Sequence, residues 1–166
     1  MREGADKRGY APSVAIPAFR FLDEASAAAD TVQGTDAANI DIRFMLDNYT
    51  VSYQYDAAAK TYARSINGEP HTDLVSGEQL QAANVAVIGT AHKTLDGEGR
   101  LAVDLESGGP AMLFRYGKVI ECTWERGGDG VIRLMKDGGE LPFAPGKIYY
   151  HIVPNATALT EHVTAQ

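Results

Sequence analysis

Apolar side chains recur at every second residue along much of this chain, a period that suits a half-buried strand and not a helix. Ile40, Ile42, Phe44 and Leu46 follow it, with Asp41 and Arg43 between them. Val51, Tyr53 and Tyr55 repeat it, as do Tyr62, Arg64 and Ile66, and Asp56-Ala-Ala-Ala-Lys60 joins these two runs. They read as a hairpin. Setting Tyr55 opposite Tyr62 places Tyr53 opposite Arg64 and Val51 opposite Ile66. That register gathers every large side chain on one face, and a slip of one residue would turn the whole set outward.

Further strands follow. Val85 to Ile88 is a short continuous apolar run, and Leu101, Val103 and Leu105 alternate with Ala102, Asp104 and Glu106. Ala111–Tyr116 and Lys118–Glu125 flank Gly117 as a second hairpin, with two- and three-residue turns both open. Val131–Met135 and Ile148–Val153 complete the set. Turn signals are dense at Asn67-Gly68, Gly127-Gly-Asp-Gly130, Asp137-Gly-Gly139 and Pro145-Gly146. Helix is scarce. Ala25–Ala29 can form a turn or two after Asp23. Ser76-Gly-Glu-Gln79 fits a capping box that opens a short helix through about Ala83. The expected fold is mainly β with short helices, an antiparallel sandwich or a partly closed barrel, with α+β as the alternative.

Length bounds the organisation: 166 residues, 45% of them apolar, is one domain able to bury a core without staples. Residues 1–18 read as a flexible leader, since Met1–Gly9 is polar and lacks the apolar stretch of a secretory signal. Residues 19–154 form the single domain, and 155–166 read as a frayed tail. The 15 Lys and Arg against 22 Asp and Glu leave a net charge of −7, which argues against non-specific binding to nucleic acid or an anionic membrane surface. One cysteine, Cys122, excludes an internal disulfide framework. The sequence has no run of about 18 apolar residues that would span a bilayer.

Few residues invite chemistry. Arg64 shares its strand face with Tyr62 and Ile66, so the pattern aims a guanidinium at the apolar side. A buried guanidinium calls for a carboxylate, and Asp73 and Asp56 are nearest in sequence; Tyr53 could add a cation–π contact. The bland reading is a structural Arg–Asp pair, the sharper one an anion-binding Arg in a groove. His71 and Asp73 sit two apart after a turn. A His oriented by a carboxylate is the usual start of a general base, although a loop-bracing His71 is the commoner outcome. The chain lacks the further His or Cys cluster that zinc would need, so neither metal nor cofactor is expected. Cys122 alternates with Ile120 and Trp124 and reads as an inert core thiol. Glu121 falls on the opposite face as a surface carboxylate. Gly-x-Ser-x-Gly, P-loop and dinucleotide signatures are absent, and Gly127–Gly130 reads as a hairpin loop.

Four stretches in order carry a family likeness. The first runs from Tyr53-Gln-Tyr-Asp56 through Tyr62-Ala-Arg64 to Asn67-Gly-Glu-Pro-His-Thr-Asp73. The second is Gly77–Val87, the third Gly108–Trp124, and the fourth Leu141–Lys147 leading to Ile152-Val-Pro154. Together they resemble the C-terminal region of the YerB-like lipoprotein family, known as domain of unknown function 3048. Cys122, and Ile148-Tyr-Tyr150 after Pro-Gly, depart from that pattern. The resemblance implies an extracytoplasmic, membrane-anchored setting in full-length relatives, and it brings no catalytic residues. The expected function is a non-enzymatic binding module, monomer or weak dimer, contacting peptidoglycan or an envelope protein, with no nucleic acid and no membrane span. Its groove would hold Arg64, His71 and Asp73, with Asn84 as polar neighbour. One alternative is an envelope hydrolase with His71 as base, Asp73 orienting it and Arg64 stabilising negative charge; another is a structural spacer.

Overall fold

The structure, a computed structural model, describes residues 18–23, 25–26, 34–46 and 48–166. Two sheets carry the fold. The smaller holds β2 (Asn39–Arg43), β3 (Thr50–Asp56), β4 (Thr61–Ile66), the two-residue strands β5 (Glu69–Pro70) and β6 (Gln81–Ala82), and β15 (Val163–Ala165), in the order β15-β2-β3-β4-β5 with β6 also on β4. The larger holds β1 (Thr35–Asp36), β7 (Asn84–Thr90), β10 (Gly109–Arg115), β11 (Lys118–Arg126), β12 (Ile132–Lys136), β13 (Gly139–Glu140) and β14 (Ile148–Pro154). Its order is β13-β12-β11-β10-β7-β14, with β1 on β11. The strands β8 (His92–Thr94) and β9 (Leu101–Val103) form a separate ribbon.

The first hairpin has the register that its alternation demands: Val51 faces Ile66, Tyr53 faces Arg64 and Tyr55 faces Tyr62. In the second, Arg115 faces Lys118, which selects the two-residue turn. Tyr116 and Gly117 both take positive φ there, 52° and 72°, the turn whose twist matches the flanking strands. Gly117 is needed twice over, because a Cβ on it would lie 2.8 Å from the Tyr55 ring.

The two sheets pack face to face over Ile40, Ile42, Val51, Tyr53 and Tyr62 from the smaller and Val85, Val87, Met112, Phe114 and Val153 from the larger. This is a sandwich, and neither sheet closes into a barrel. The other face of the larger sheet has its own core of Ala86, Ile88, Ala111, Leu113, Ile120, Trp124 and Leu134, covered by Leu141 and Phe143. The sheet curls around that second core: the Tyr150 hydroxyl on the edge strand β14 donates to the Ile132 carbonyl on β12 at 3.2 Å. Cys122 packs against the same core as expected, and burial pushes its thiol pKa up to about 12.

Several expectations are corrected. The capping box opens no helix: Asp73, not Ser76, accepts the free backbone N–H groups of Val75 and Ser76, and Gln81–Ala82 is extended against β4. The C-terminal stretch is not frayed. Leu159 and Val163 are buried in the inter-sheet core, and β15 pairs with β2, so burial and a sheet edge order a segment with no clear period. Leu101–Val103 is a strand but not half-buried, since its ribbon joins neither main sheet and all three residues are exposed. Ala27–Ala29 of the expected Ala-rich turn lie outside the described residues, as do residues 1–17 of the expected leader.

Candidate binding site around Arg64

β4 aims Arg64 into the space between the sheets, beside β14 of the opposing sheet. Main-chain bonds lay His71 alongside it: the His71 N–H donates to the Arg64 carbonyl at 3.0 Å, and the Arg64 N–H donates to Leu80 at 2.9 Å. The Gln79 side-chain amide donates to the same Arg64 carbonyl at 2.8 Å. Arg64 Nη1 then meets His71 Nδ1. A guanidinium can only donate, so Nδ1 accepts and the ring proton sits on Nε2. The guanidinium carbon lies 5.5 Å from the centroid of Tyr149, which takes the cation–π role expected of Tyr53.

Behind Arg64 the core is polar. The Tyr53 hydroxyl lies 2.7 Å from His151 Nε2, and both residues are buried. Burial, with the Arg64 charge adding to it, pushes the His151 pKa down to about 4. Burial likewise raises the Tyr53 phenol, although the Arg64 charge works against it. Both groups are therefore neutral at ordinary pH, and neither is a counter-ion for Arg64.

The carboxylates expected to pair with Arg64 are engaged elsewhere. Asp73 accepts backbone N–H bonds from Val75 and Ser76 at 2.9 and 2.8 Å, which hold its pKa low. Asp56 accepts from Ala58 and Ala59 in the first hairpin loop. Short-range turns have taken both acids. Among the described residues Arg64 makes no ion pair, and its Nε is buried with no hydrogen-bond partner. Asp73 instead lines a neighbouring groove of about 540 Å³ with Glu78, Gln79, Gln81 and Lys147.

Asn84 is not a neighbour of Arg64. It pairs with Arg115 across the sheet and belongs to the alternation of Ala86 and Ile88, which face the second core. Its amide clamps Ala144, donating to the carbonyl and accepting from the N–H, each at 2.8 Å. Thus Arg64 and His71 come together, whereas Asp73 stands in the adjoining groove and Asn84 faces the other way. Tyr149 and His151 were missed. Their alternation with Val153 was visible, but not the parallel pairing of β14 with β7 that brings them over Arg64. Among the described residues no three His, Cys, Asp or Glu side chains gather as metal ligands, and no helix is long and apolar enough to cross a membrane.

Residues 40–150 match the family model described as "Protein of unknown function (DUF3048) C-terminal domain". The chain belongs to this family. This DUF3048 chain is 33% identical over 160 residues to the protein named "Putative lipoprotein YerB" of Bacillus subtilis, covering 95% of the chain and 46% of that relative. The crystal structure of the Bacillus subtilis YerB protein superposes with a TM-score of 0.78 at 30% identity, covering 99% of the chain and 52% of the solved one. The DUF3048 chain thus spans about half the length of its relative. The matched residues include Arg64, His71 and Tyr149, so the candidate site lies inside the family's own domain.

Proposed function

We propose that this chain is a non-enzymatic binding domain working outside the cytoplasmic membrane, and that Arg64 with His71 takes an anionic group of cell-wall material or of a wall-synthesis protein. One observation carries the reading. In a chain where acids outnumber bases 22 to 15, a half-buried guanidinium has no carboxylate paired with it among the described residues. Its remaining donors and the Nε2–H of His71 form a donor-only pair suited to a carboxylate or phosphate oxygen. The likeness to a protein named as a lipoprotein supports the envelope setting. The hydrolase alternative gains no such support, because Asp73 is committed to its turn and the free nitrogen of His71 is a donor.

Co-sedimentation with washed bacterial sacculi, at low and moderate salt, tests this. Wild type should pellet and Arg64→Ala should not. Equal pelleting of both would remove Arg64 from the site. No pelleting of wild type would exclude wall material and leave the protein partner, sought by cross-linking in membranes.

A further inference from the structure

Among the described residues, β14 is the one long strand at an edge of either main sheet; the other edge strands, β1, β5, β6, β13 and β15, are two or three residues long. It pairs on one side with β7, and its parity there is fixed at both ends. The Lys147 carbonyl accepts from Asn84, and the Asn155 N–H donates to Thr90 at 3.0 Å. Odd-numbered residues therefore turn their backbone groups toward β7, and Ile148, Tyr150, Ile152 and Pro154 turn theirs outward. Pro154 fits this, since its missing N–H would face the open side. No backbone partner of Ile148, Tyr150 or Ile152 occurs on that side among the described residues.

An open edge of this length normally carries a charge or is covered. From Ile148 to Val153 this one carries no charge, because His151, the single titratable base, is buried and neutral. Two cations stand beside its first residues, while farther along the paired Arg133 and Glu140 lie near the Tyr150 side chain. Lys147 precedes the strand, and Arg64 lies over Tyr149. Both are cations without an ion-pair partner among the described residues.

We propose that the β14 edge takes an extended, acidic segment of a partner protein as an added strand. The outward groups of Tyr150 and Ile152 would supply the main-chain bonds, and Arg64 and Lys147 would meet its carboxylates. A second copy pairing edge to edge fits less well, because its own β14, Ile148–Pro154, holds no acid to set against these cations. The main-chain part stands by itself; the acidic preference rests on the anion-binding reading of Arg64.

The test uses the whole chain. In the free protein, the amides of Tyr150 and Ile152 should exchange with solvent about tenfold or more faster than those of Tyr149, His151 and Val153. Equal protection would mean a covered edge and overturn the proposal. A phage-displayed library of random ten-residue peptides is then selected on the wild type. Peptides with acids among alternating apolar residues should emerge, slow the exchange of Tyr150 and Ile152, and lose binding to Ile152→Pro, which deletes an outward N–H. Ile152→Glu keeps the backbone and should weaken the same peptides by charge, so a misfolded proline variant does not decide the matter. Arg64→Gln should erase the acidic preference. Peptides that bind Ile152→Pro and Ile152→Glu as well as wild type overturn the edge while leaving Arg64 intact. Failure to select any sequence, or self-association that Ile152→Glu abolishes, overturns the acidic partner.

Discussion

Tyr53 on the smaller sheet reaches across the inter-sheet core to His151 on the larger, its hydroxyl 2.7 Å from Nε2. Burial and the nearby Arg64 charge keep that imidazole neutral, with a pKa of about 4 against an ordinary 6.5. Between those two values the unfolded chain binds a proton that the folded one refuses. Stability should therefore be full above about pH 6.5 and fall as pH drops toward 4, by about 3 kcal/mol in all. Urea titrations from pH 8 to 4 measure it. His151→Gln should flatten the dependence, and an equally steep loss in that variant would assign it to other groups.

Asn84 offers a separate test of its placement. Removing its amide leaves the buried N–H and carbonyl partners at Ala144 unsatisfied, so Asn84→Ala should cost about 2–4 kcal/mol. The same variant, at a temperature where it is folded, should pellet with sacculi as wild type does. Loss of pelleting by a folded Asn84→Ala would return the residue to the binding site.

Cys122 should be nearly inert. With its thiol pKa raised to about 12 and its side chain against the second core, the folded protein at pH 8 presents almost no thiolate. Reaction with a disulfide reagent should be at least about a hundredfold slower than in guanidinium. Comparable rates would mean that the strand opens readily.

What was legible in the sequence is what strand period and turn chemistry control. The Tyr53–Arg64 pairing follows from alternation and one loop length, and the Tyr116-Gly117 turn needed only a choice between two registers. The rest depends on contacts far apart in the chain. That β14 runs parallel to β7 is set by the crossover, and no local pattern announces it. That pairing alone brings Tyr149 and His151 over Arg64. Ser76-Gly-Glu-Gln79 forms no capping box because Asp73 takes the Ser76 N–H that Gln79 would reach back to, and the Gln79 amide bonds the Arg64 carbonyl instead. Proximity in sequence offers Asp73 to Arg64, whereas in the structure its Oδ1 accepts two N–H groups of its own turn and holds the side chain there.

Gly109 is a point of close backbone approach in the larger sheet, and it controls the single tryptophan. Trp124 lies opposite Gly109 and extends across β10 to donate its indole N–H to the Gly89 carbonyl on β7 at 2.7 Å. A Cβ at Gly109 would lie 2.5 Å from that carbonyl oxygen and 3.0 Å from the indole nitrogen. Neither neighbour is a flexible side-chain end, so the strands must part or the indole must leave. Gly109→Ala should thus cost about 2–4 kcal/mol, as overpacking plus a lost buried hydrogen bond. It should also shift Trp124 emission to the red in the native state. Gly128→Ala is the control, since nothing lies within 4 Å of its added Cβ, and it should leave stability within about 1 kcal/mol of wild type. A Gly109→Ala protein with native emission and wild-type stability would show that the sheet yields there without cost.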